Sequence, residues 1–271
     1  MKKFCTLALK KTKTMSQITE VSTALFGYLK RPSLYPELGR KIWKNIFNRS
    51  SATKGKIEAL EWCEKIAISE QYFIENVLKM KHIPFEIQFK EDFEFGKNAQ
   101  NQSPVKMGGA GSLNVLYGIN EYTKSLNTIE TGVAYGWSSL ACLASLAKRG
   151  GTLYSSDMPY IMQTHSSDFV GCVIPEKYKK YWKLFRFADK ESLPKIFNEQ
   201  SSFDVVHYDS DKTYDGRLWA YKLLFEKLRS GGVFMSDDIA DNSAFKDFCE
   251  KNEFVPYVIG FDKKYAGIII K

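Results

Sequence analysis

The fold is decided by Asp204-Val-Val-His-Tyr-Asp-Ser-Asp-Lys-Thr-Tyr-Asp215, followed by Gly231-Gly-Val-Phe-Met-Ser-Asp-Asp238. Each part begins with the short apolar run of a buried strand and ends in carboxylates. A helix-length segment separates the two runs, so the strands can be parallel neighbours with their carboxyl ends side by side. Carboxylates gathered at one sheet edge repel one another unless a cation or a reaction uses them. Open α/β sheets bind ligands at that edge, so we expect a functional site there.

From about residue 112 onward, strand-like and helix-like segments alternate, which predicts an α/β fold with a doubly wound, mostly parallel sheet. The strand-like segments lie near 128–133, 152–156, 183–187, 203–208, 232–236, 254–260 and 265–270. The helix-like segments lie near 112–125, 137–149, 176–182, 191–199, 214–229 and 243–252. The last two strands are joined by Asp262-Lys-Lys, which is too short for a crossover helix, so they should form an antiparallel hairpin.

The first hundred residues show a different pattern and are predicted to be mainly helical. A helical stripe of apolar residues predicts one long helix over 55–80, whereas alternating apolar residues at 85–89 are typical of a strand. The polar, Gly-rich segment 96–111 indicates a linker or a mobile lid. We therefore expect an N-terminal extension or cap with a basic tail, 1–107, and a ligand-binding α/β domain, 108–271.

The composition limits the classes of protein to which the chain can belong. Its 271 residues are 44% hydrophobic and 26% charged, which is ordinary for a soluble globular protein. No apolar run approaches the roughly 20 residues of a membrane helix, and Lys10 interrupts the apolar run at the N-terminus, so we predict neither a transmembrane segment nor a signal peptide. Five scattered cysteines without a C-x-x-C pair argue against disulfides or zinc and fit a cytoplasmic location.

The net charge of +8 is concentrated near the N-terminus. Residues 1–50 hold eleven lysines and arginines against Glu20 and Glu37, a net charge of +9, so the remainder of the chain is close to neutral. We therefore expect no nucleic-acid partner for the α/β part. The basic segment is either a solvated face or a weak contact for a membrane surface, a polyanion or an acidic partner.

Residues 128–140 have the pattern of a strand, a glycine turn and a helix start. Gly132 and Gly136 allow a ligand to approach the backbone, and Ser138 places a hydroxyl near the helix N-terminus. The spacing E-x-G-x-x-x-G, which starts at Glu130, differs from the G-x-G-x-x-G of dinucleotide enzymes. An acid beside the turn suits a ligand that carries a cationic amino group.

The next two predicted strands also end in acids. Asp157 lies 25 residues after Gly132, where a carboxylate can accept two hydrogen bonds from a ribose diol. Asp189 follows the third strand and is placed to meet an adenine edge, although it could also cap the helix that begins near Glu191. Three acids at successive strand ends are hard to explain by capping alone.

The order of these motifs resembles that of class I S-adenosylmethionine-dependent methyltransferases. More narrowly, Asp209-Ser-Asp-Lys-Thr-Tyr214 is similar to the D-x-D-H-x-Y motif of bacterial small-molecule and sugar O-methyltransferases. The resemblance covers about 108–271. It implies a seven-stranded sheet with the last strand antiparallel, S-adenosylmethionine as the cofactor, and a helical N-terminal extension that serves as a cap or in homo-oligomerisation.

The resemblance also implies roles for single residues. The residues expected to contact the cofactor are Glu130, Gly132, Gly136 and Ser138 at its methionine part, Asp157 at the ribose, Ala188 and Asp189 at the adenine, and Asp209 near the reacting end. The segment Gly108-Gly-Ala-Gly-Ser112 resembles the part of these enzymes that closes over the cofactor.

Transfer of a methyl group to a hydroxyl requires that the acceptor lose its proton and that the developing alkoxide be stabilised, and a divalent metal can assist both. Asp209, Asp237 and Asp238 offer the oxygen ligands that Mg²⁺ prefers, and the corresponding positions bind Mg²⁺ in the metal-dependent relatives. Asp211 resembles the general base of the family. Lys212 stands where the narrower family has His and other relatives carry a Lys base, so both residues stay candidates.

These observations leave three functions open. The first is an O-methyltransferase, assisted by Mg²⁺, that acts on a hydroxyl of a small molecule or sugar. The second is a metal-independent methyltransferase, and the third is a non-catalytic module that binds the cofactor while its basic N-terminal helices dock a partner. A dehydrogenase is least expected because the glycine spacing differs from that of dinucleotide sites.

Overall fold

An eight-stranded sheet organises the residues described by the computed structural model, which are 27–28, 31–40, 53–159 and 166–271. The strands are β1 (Ala67–Ser69), β2 (Asn127–Thr131), β3 (Thr152–Ser156), β4 (Trp182–Phe185), β5 (Phe203–Tyr208), β6 (Leu228–Ser236), β7 (Tyr257–Phe261) and β8 (Lys264–Ile270). Their spatial order is β1-β7-β8-β6-β5-β2-β3-β4. Neighbouring strands pair in parallel except β8, which runs antiparallel to β6 and β7.

Helices connect and cover these strands. The α-helices are α1 (Lys56–Ile66), α2 (Glu70–Tyr72), α3 (Phe85–Gln88), α4 (Lys90–Asn101), α5 (Leu113–Tyr122), α6 (Trp137–Leu146), α7 (Ser166–Phe169), α8 (Glu176–Lys179), α9 (Asp189–Glu199), α10 (Tyr214–Lys227) and α11 (Ala244–Lys251). A π-helical turn, Phe73–Val77, continues α2, and short 3₁₀ turns occur at Pro32–Leu34, Ala147–Arg149 and Ile239–Asp241.

The predicted doubly wound, mostly parallel sheet with a C-terminal antiparallel hairpin is confirmed. The number of strands differs, because β1 adds an eighth strand from the N-terminal part of the chain. Ile68 of β1 pairs with Ile259 of β7. The single long helix predicted over 55–80 is therefore wrong: α1 ends where Ala67 becomes extended. The apolar pattern indicates the helix α1 but not the hydrogen-bonding edge that β7 offers to the segment after it.

The strand predicted over 85–89 is also wrong, because Phe85–Gln88 is helical. Phe85 and Phe89 are four residues apart, lie on the same side of this helical turn with ring centroids 4.8 Å apart, and both pack against Tyr117. Ile87 is exposed. Apolar residues at every second position therefore contained an i, i+4 pair. Helix α4 extends into the predicted lid, so the irregular part of 96–111 begins only after Asn101.

Apolar clusters cover both faces of the sheet. In β5, Val205 packs in one cluster with Leu140 of α6, whereas Val206 packs in the other with Tyr221 of α10. Successive residues of a strand point to opposite faces, so a strand covered on both sides needs a continuous apolar run. The polar residues of β5 and β6 are consequently gathered at the ends of the strands, and the carboxyl ends meet at one edge.

Candidate cofactor site and carboxylate cluster

The glycine turn after β2 lies directly against the end of β5. Gly132 has φ +84°, and a Cβ atom at this position would lie 2.2 Å from the backbone oxygen of Asp209. Gly136 has φ +95° and begins α6, and its Cβ would lie 2.9 Å from the Cα of Gly171. Both the positive φ and the close backbone approach require glycine. The turn therefore brings the helix N-terminus next to the carboxylates of β5.

A cavity of about 240 Å³ joins the glycine turn to the carboxylate cluster. Its walls come from the turn at Gly132, from the segment 108–111, and from Asp209, Asp237 and Asp238. Three carboxylates predicted from two separate strands thus face the same space. This is the arrangement that the parallel pairing of β5 and β6 dictates, since Tyr208 and Ser236 are register partners immediately before the acids.

Glu130 lies fully buried beneath the turn. Its carboxylate accepts hydrogen bonds from the hydroxyls of Ser138 (2.5 Å), Ser139 (2.5 Å) and Ser155 (2.9 Å). These bonds fix the start of α6 against β2 and β3, so Glu130 and Ser138 act on each other in this structure. Their predicted contact with the methionine part of a cofactor stays a prediction.

Asp157 lies at the end of β3 and is almost fully buried. Its Oδ1 accepts hydrogen bonds from the amides of Val133 (3.0 Å) and Ala134 (3.4 Å), and its Oδ2 accepts one from Arg186 Nη1 (2.8 Å). Burial raises the pKa of Asp157, although these donors oppose the rise. A ribose diol at Asp157 would share or replace the Arg186 contact. Arg186 was not predicted as a site residue: it lies inside the strand predicted over 183–187, whereas in the structure it directly follows β4.

Asp189 begins α9 and accepts hydrogen bonds from Ser156 Oγ (2.7 Å) and Ser210 Oγ (2.5 Å), and Ala188 is the residue that precedes the helix. Burial raises the pKa of Asp189. Ser156 is the last residue of β3 and Ser210 follows β5, so the ends of three strands meet at this residue. Ser210 was not predicted, although its place between Asp209 and Asp211 would have supported it.

A lysine side chain occupies the centre of the carboxylate cluster. The Lys212 ammonium forms ion pairs with Asp209 and, at 2.8 Å, with Asp238. Lys264 lies 3.4 Å from the other oxygen of Asp238. Burial and the neighbouring Asp237 raise the pKa of Asp209 to about 6, against the opposing effect of Lys212 and His207. Three acidic and two basic side chains therefore line one cavity: Asp209, Asp237, Asp238, Lys212 and Lys264.

His207 connects the cluster to the acid beneath the glycine turn. It is buried, with Nε2 3.3 Å from Asp237 Oδ2 and Nδ1 3.5 Å from Glu130 Oε1. Burial disfavours an imidazolium, but the two carboxylates outweigh it and raise the pKa of His207 to about 10. The other oxygen of Asp237, Oδ1, is buried without a hydrogen-bond partner among the described residues. Asp237 Oδ2 thus has a partner in His207, whereas Oδ1 has none among the described residues.

Arg217 lies in the first turn of α10, where the sequence leaves a substrate-orienting role and a surface position equally open. It is fully buried in α10 and donates to the backbone oxygens of Asp237 (3.1 Å) and Asp238 (2.9 Å). Successive carbonyls of a strand point in opposite directions, so one guanidinium can bind both only if the chain leaves the strand there. Asp238 does so with φ +53°. Its position in the first turn of α10 gave no signal, because such residues are usually exposed.

The two candidate bases differ in position. Asp211 is exposed, and its Oδ1 accepts a hydrogen bond from the amide of Thr213 (2.9 Å) at the start of α10. A Cβ atom on Gly216 would lie 2.0 Å from Asp211 Oδ2, so the carboxylate lies against the first turn of that helix. Lys212 lines the cavity. Burial lowers the pKa of Lys212, but Asp209 and Asp238 outweigh it and raise the pKa.

The predicted Mg²⁺ ligands have the right chemical type, but their side chains are not arranged to bind a metal ion together. Three carboxylates share a cavity, and Asp237 Oδ1 lacks a partner, which fits a hard cation that prefers oxygen ligands. Within 27–28, 31–40, 53–159 and 166–271, however, no group of three or more His, Cys, Asp or Glu side chains is arranged to hold a metal ion. Lys212 fills the space between Asp209 and Asp238, so a metal there requires that Lys212 move.

Comparison with known proteins agrees with this fold. Residues 129–239 match the sequence profile of a methyltransferase domain family. A search of curated protein sequences finds no significant match. An O-methyltransferase from Bacillus cereus in complex with SAH is 14% identical, with a TM-score of 0.53 over 77% of this chain and 100% of its own. A putative O-methyltransferase from Klebsiella pneumoniae is 12% identical, with a TM-score of 0.53 over 78% and 99%.

A third similar structure is TomG, an O-methyltransferase from Streptomyces achromogenes involved in tomaymycin synthesis, in complex with SAM. It is 14% identical, with a TM-score of 0.52 over 77% of this chain and 98% of its own. The match to a methyltransferase domain thus covers residues 129–239, and the similar structures share the fold of this chain. In the part of the chain that the structure describes, no helix is long and apolar enough to cross a membrane.

Proposed function

We propose that the protein transfers the methyl group of S-adenosylmethionine to a hydroxyl of a small molecule or sugar, with assistance from Mg²⁺. The observation that carries this proposal is the single cavity that joins the glycine turn to Asp209, Asp237 and Asp238. The three similar structures are themselves described as O-methyltransferases, which supports oxygen as the acceptor atom.

The cofactor would lie along the ends of β2, β3 and β4. Gly132 and Gly136 leave room for its methionine part, Asp157 would bind the ribose once Arg186 shares its carboxylate, and Asp189 lies where the adenine would reach. Its sulfonium would then lie beside Asp209, whose backbone oxygen contacts the glycine turn. A negative cluster at this point attracts the sulfonium and orients it towards the acceptor.

During the reaction the acceptor oxygen forms a bond to the methyl carbon as the carbon–sulfur bond breaks, and the hydroxyl proton leaves. When bound by Asp209, Asp237 and Asp238, Mg²⁺ would supply a Lewis acid that favours the alkoxide. Lys212 is the better placed proton acceptor because it lines the cavity, whereas Asp211 lies against α10. As an ammonium paired with two carboxylates, Lys212 must first leave them and lose its proton to serve as a base.

A metal-independent transfer is the second candidate, and the Lys212 ion pairs favour it. An ammonium between Asp209 and Asp238 already neutralises part of the cluster, and it can donate a hydrogen bond to a developing alkoxide. In that case Asp237 would serve as the proton acceptor, through the oxygen that lacks a partner. A third reading, a non-catalytic module that binds the cofactor, predicts binding without turnover.

The N-terminal extension, residues 1–107, would form part of the acceptor side. The backbone oxygen of Lys54 accepts a hydrogen bond from the amide of Ser243 (2.9 Å), close to Asp238 in the chain. The Lys54 ammonium lies 3.9 Å from the centroid of the Tyr214 ring. These contacts fit a cap that shapes the acceptor pocket, and leave a role in homo-oligomerisation to experiment. The four described cysteines are free, in keeping with a cytoplasmic protein.

The test begins with calorimetric titration of S-adenosylmethionine and then screens sugars and phenols for methyl transfer, each with Mg²⁺ or with a chelator. We expect micromolar binding and turnover that the chelator abolishes. No binding in either condition rejects the proposal. Turnover that ignores the chelator selects the metal-independent route, and binding without turnover on any acceptor favours the third reading.

The variants K212M and D211N separate the two candidate bases. If Lys212 accepts the proton, K212M loses activity by about a hundredfold or more, in the range of general-base removal, while D211N retains most of it. The reverse order would assign the base to Asp211. Cofactor affinity measured by the same titration serves as the control for folding in both variants.

A further inference from the structure

The segment between α4 and α5 forms a roof over the carboxylate cluster. We define this roof segment as residues 105–112. Gly108, Gly109 and Gly111 line the cavity, and a Cβ atom on Gly111 would lie 2.8 Å from Asp237 Oδ2. The backbone of the roof therefore lies against one oxygen of Asp237, and a side chain at Gly111 would require that oxygen to shift. By contrast, a Cβ on Gly109 would meet no atom within 4 Å.

Two side chains tether the roof segment, one on each flank. On the N-terminal flank, the Tyr135 hydroxyl donates to the backbone oxygen of Val105 and accepts from the amide of Met107 (3.2 Å). Tyr135 belongs to the glycine turn, so this tether ties the roof to the cofactor side. Its energetic effect is that of ordinary neutral hydrogen bonds.

On the C-terminal flank, Glu70 is the tether. Its carboxylate accepts hydrogen bonds from the hydroxyl of Ser112 and from the side-chain amide of Asn114 (3.1 Å). Ser112 precedes α5 and would normally cap that helix, yet its side chain makes no capping bond, because its hydroxyl donates to Glu70. Hydrogen bonds to a carboxylate are stronger than neutral ones, so this is the firmer of the two tethers.

The position of Glu70 follows from the eighth strand. Glu70 directly follows Ser69, the last residue of β1, and β1 runs parallel to β7. Its carboxyl end therefore lies at the same edge of the sheet as the ends of β5 and β6. A strand from the N-terminal extension thus places a carboxylate beside the roof of the site, which no pairing within the remaining seven strands supplies.

We propose that Glu70 is a positioning residue that holds the roof segment against Asp237 and so fixes the height of the acceptor space. Gly111 is its counterpart in the roof, because a Cβ atom there would require the Asp237 carboxylate to shift. With the roof held, Asp237 Oδ2 lies against Gly111 and within 3.3 Å of His207 Nε2, so the roof covers this carboxylate oxygen. The statement about the acceptor rests on the proposed methyl transfer; the statement about the roof does not.

The roof is tested by trypsin, which cleaves after Lys106 only when the segment opens. Two matched pairs of variants are compared: E70Q with E75Q, which lies on the same helical segment and contacts Gln71 at the surface, and G111A with G109A. We expect E70Q and G111A to be cut about tenfold faster than the wild type, as for the loss of a charge-assisted tether, and E75Q and G109A within about twofold.

Thermal melting shows whether each variant is folded, and the two pairs are independent, so a failure of E70Q to fold leaves G111A to decide. The proposal is overturned if E70Q or G111A is cut no faster than its partner variant. It is equally overturned if the wild-type bond after Lys106 is cut as fast as in the unfolded chain. None of these readouts requires that the protein catalyse a reaction.

The functional part is tested on whichever acceptor the methyl-transfer screen identifies. We expect E70Q to raise KM for that acceptor about tenfold while the Kd of S-adenosylmethionine and kcat change by less than about threefold, since the tether acts on acceptor placement. A purely structural role would change all three together and would overturn the functional part. If the wild type binds no S-adenosylmethionine, the proposed function fails while the trypsin comparison still decides on the roof.

Discussion

Carboxylates at the two edges of the sheet differ in how completely they are hydrogen-bonded. At the amino end of the strands, Asp204 accepts hydrogen bonds from the amides of Leu126 (2.8 Å) and Asn127 (2.9 Å) and from Arg229 Nε (2.6 Å). At the carboxyl end, Asp237 keeps one oxygen without a partner among the described residues. The amino edge satisfies its charges with fixed donors, whereas the carboxyl edge leaves capacity for a ligand.

The pKa values show the same contrast. Burial opposes ionisation of Glu121 at the amino edge, but Ser145, Arg149 and Lys148 outweigh it and lower its pKa. At the carboxyl edge, burial and Asp237 win over Lys212, and the pKa of Asp209 rises to about 6. Glu121 and Asp209 therefore have pKa shifts of opposite sign at opposite ends of the strands.

The largest expected difference comes from removing one carboxylate at each edge. D209N should lower methyl transfer by at least about a hundredfold, equivalent to about 2.7 kcal/mol of barrier, because it removes an acid from the cavity. The free energy of unfolding of D209N should not fall, since burial makes the ionised form of Asp209 unfavourable in the folded protein. D204N should leave kcat unchanged and lower the free energy of unfolding by about 2 kcal/mol. Activity assays measure methyl transfer, and urea denaturation measures the free energy of unfolding. If D209N and D204N change these two quantities in the same way, the contrast between the two edges is contradicted.

The next largest effect concerns the arginines of the two edges. R217K should lower activity about tenfold and the free energy of unfolding by about 2 kcal/mol, because an ammonium cannot bind the carbonyls of Asp237 and Asp238 in the same fork geometry. R229K is the control at the amino edge, where it should cost stability only. An R217K variant that loses stability while retaining full activity would show that Arg217 supports the fold and not the site.

The pH dependence of stability should have opposite signs at the two edges. The folded protein holds the Asp209 proton up to about pH 6, above the ordinary pKa of 3.8, so the free energy of unfolding falls as pH rises between these values. Glu121 has a lowered pKa, so its contribution is present above its ordinary pKa of 4.5 and is lost as pH falls. Urea denaturation from pH 3 to 7 should show that D209N flattens the first slope and E121Q the second. Unchanged slopes would contradict the assigned environments.

The smallest effect is expected at the rim of the site. Lys264 is more than half exposed and lies 3.4 Å from Asp238, so K264M should change stability by less than about 0.5 kcal/mol. Any change in activity should disappear at high salt, because exposed ion pairs are screened. A loss of activity that does not depend on salt would contradict this assignment and would indicate that Lys264 acts at the reacting centre.

Much of the carboxyl edge was predictable because it is encoded locally. A strand that is buried on both faces must be apolar until it ends, so the acids after β5 and β6 mark the strand ends, and parallel pairing then brings Asp209 and Asp237 together. The glycine turn was predictable for a similar reason, since Gly132 and Gly136 adopt positive φ. The prediction was least accurate where one local pattern fits two structures. Around Phe85, apolar residues at every second position, typical of a strand, also contain the i, i+4 pair of a helix.

The sequence by itself determined the order of strands and helices after about residue 112, the glycine turn and the acids that end the strands, because these depend on neighbours close in the chain. Only the tertiary structure decided that β1 joins the sheet, that Lys212 lies between Asp209 and Asp238, and that Arg217 is buried behind them. These features depend on partners that are distant in sequence, and the hydrogen bonds that a buried charge requires are chosen by packing and leave no periodic trace in the chain.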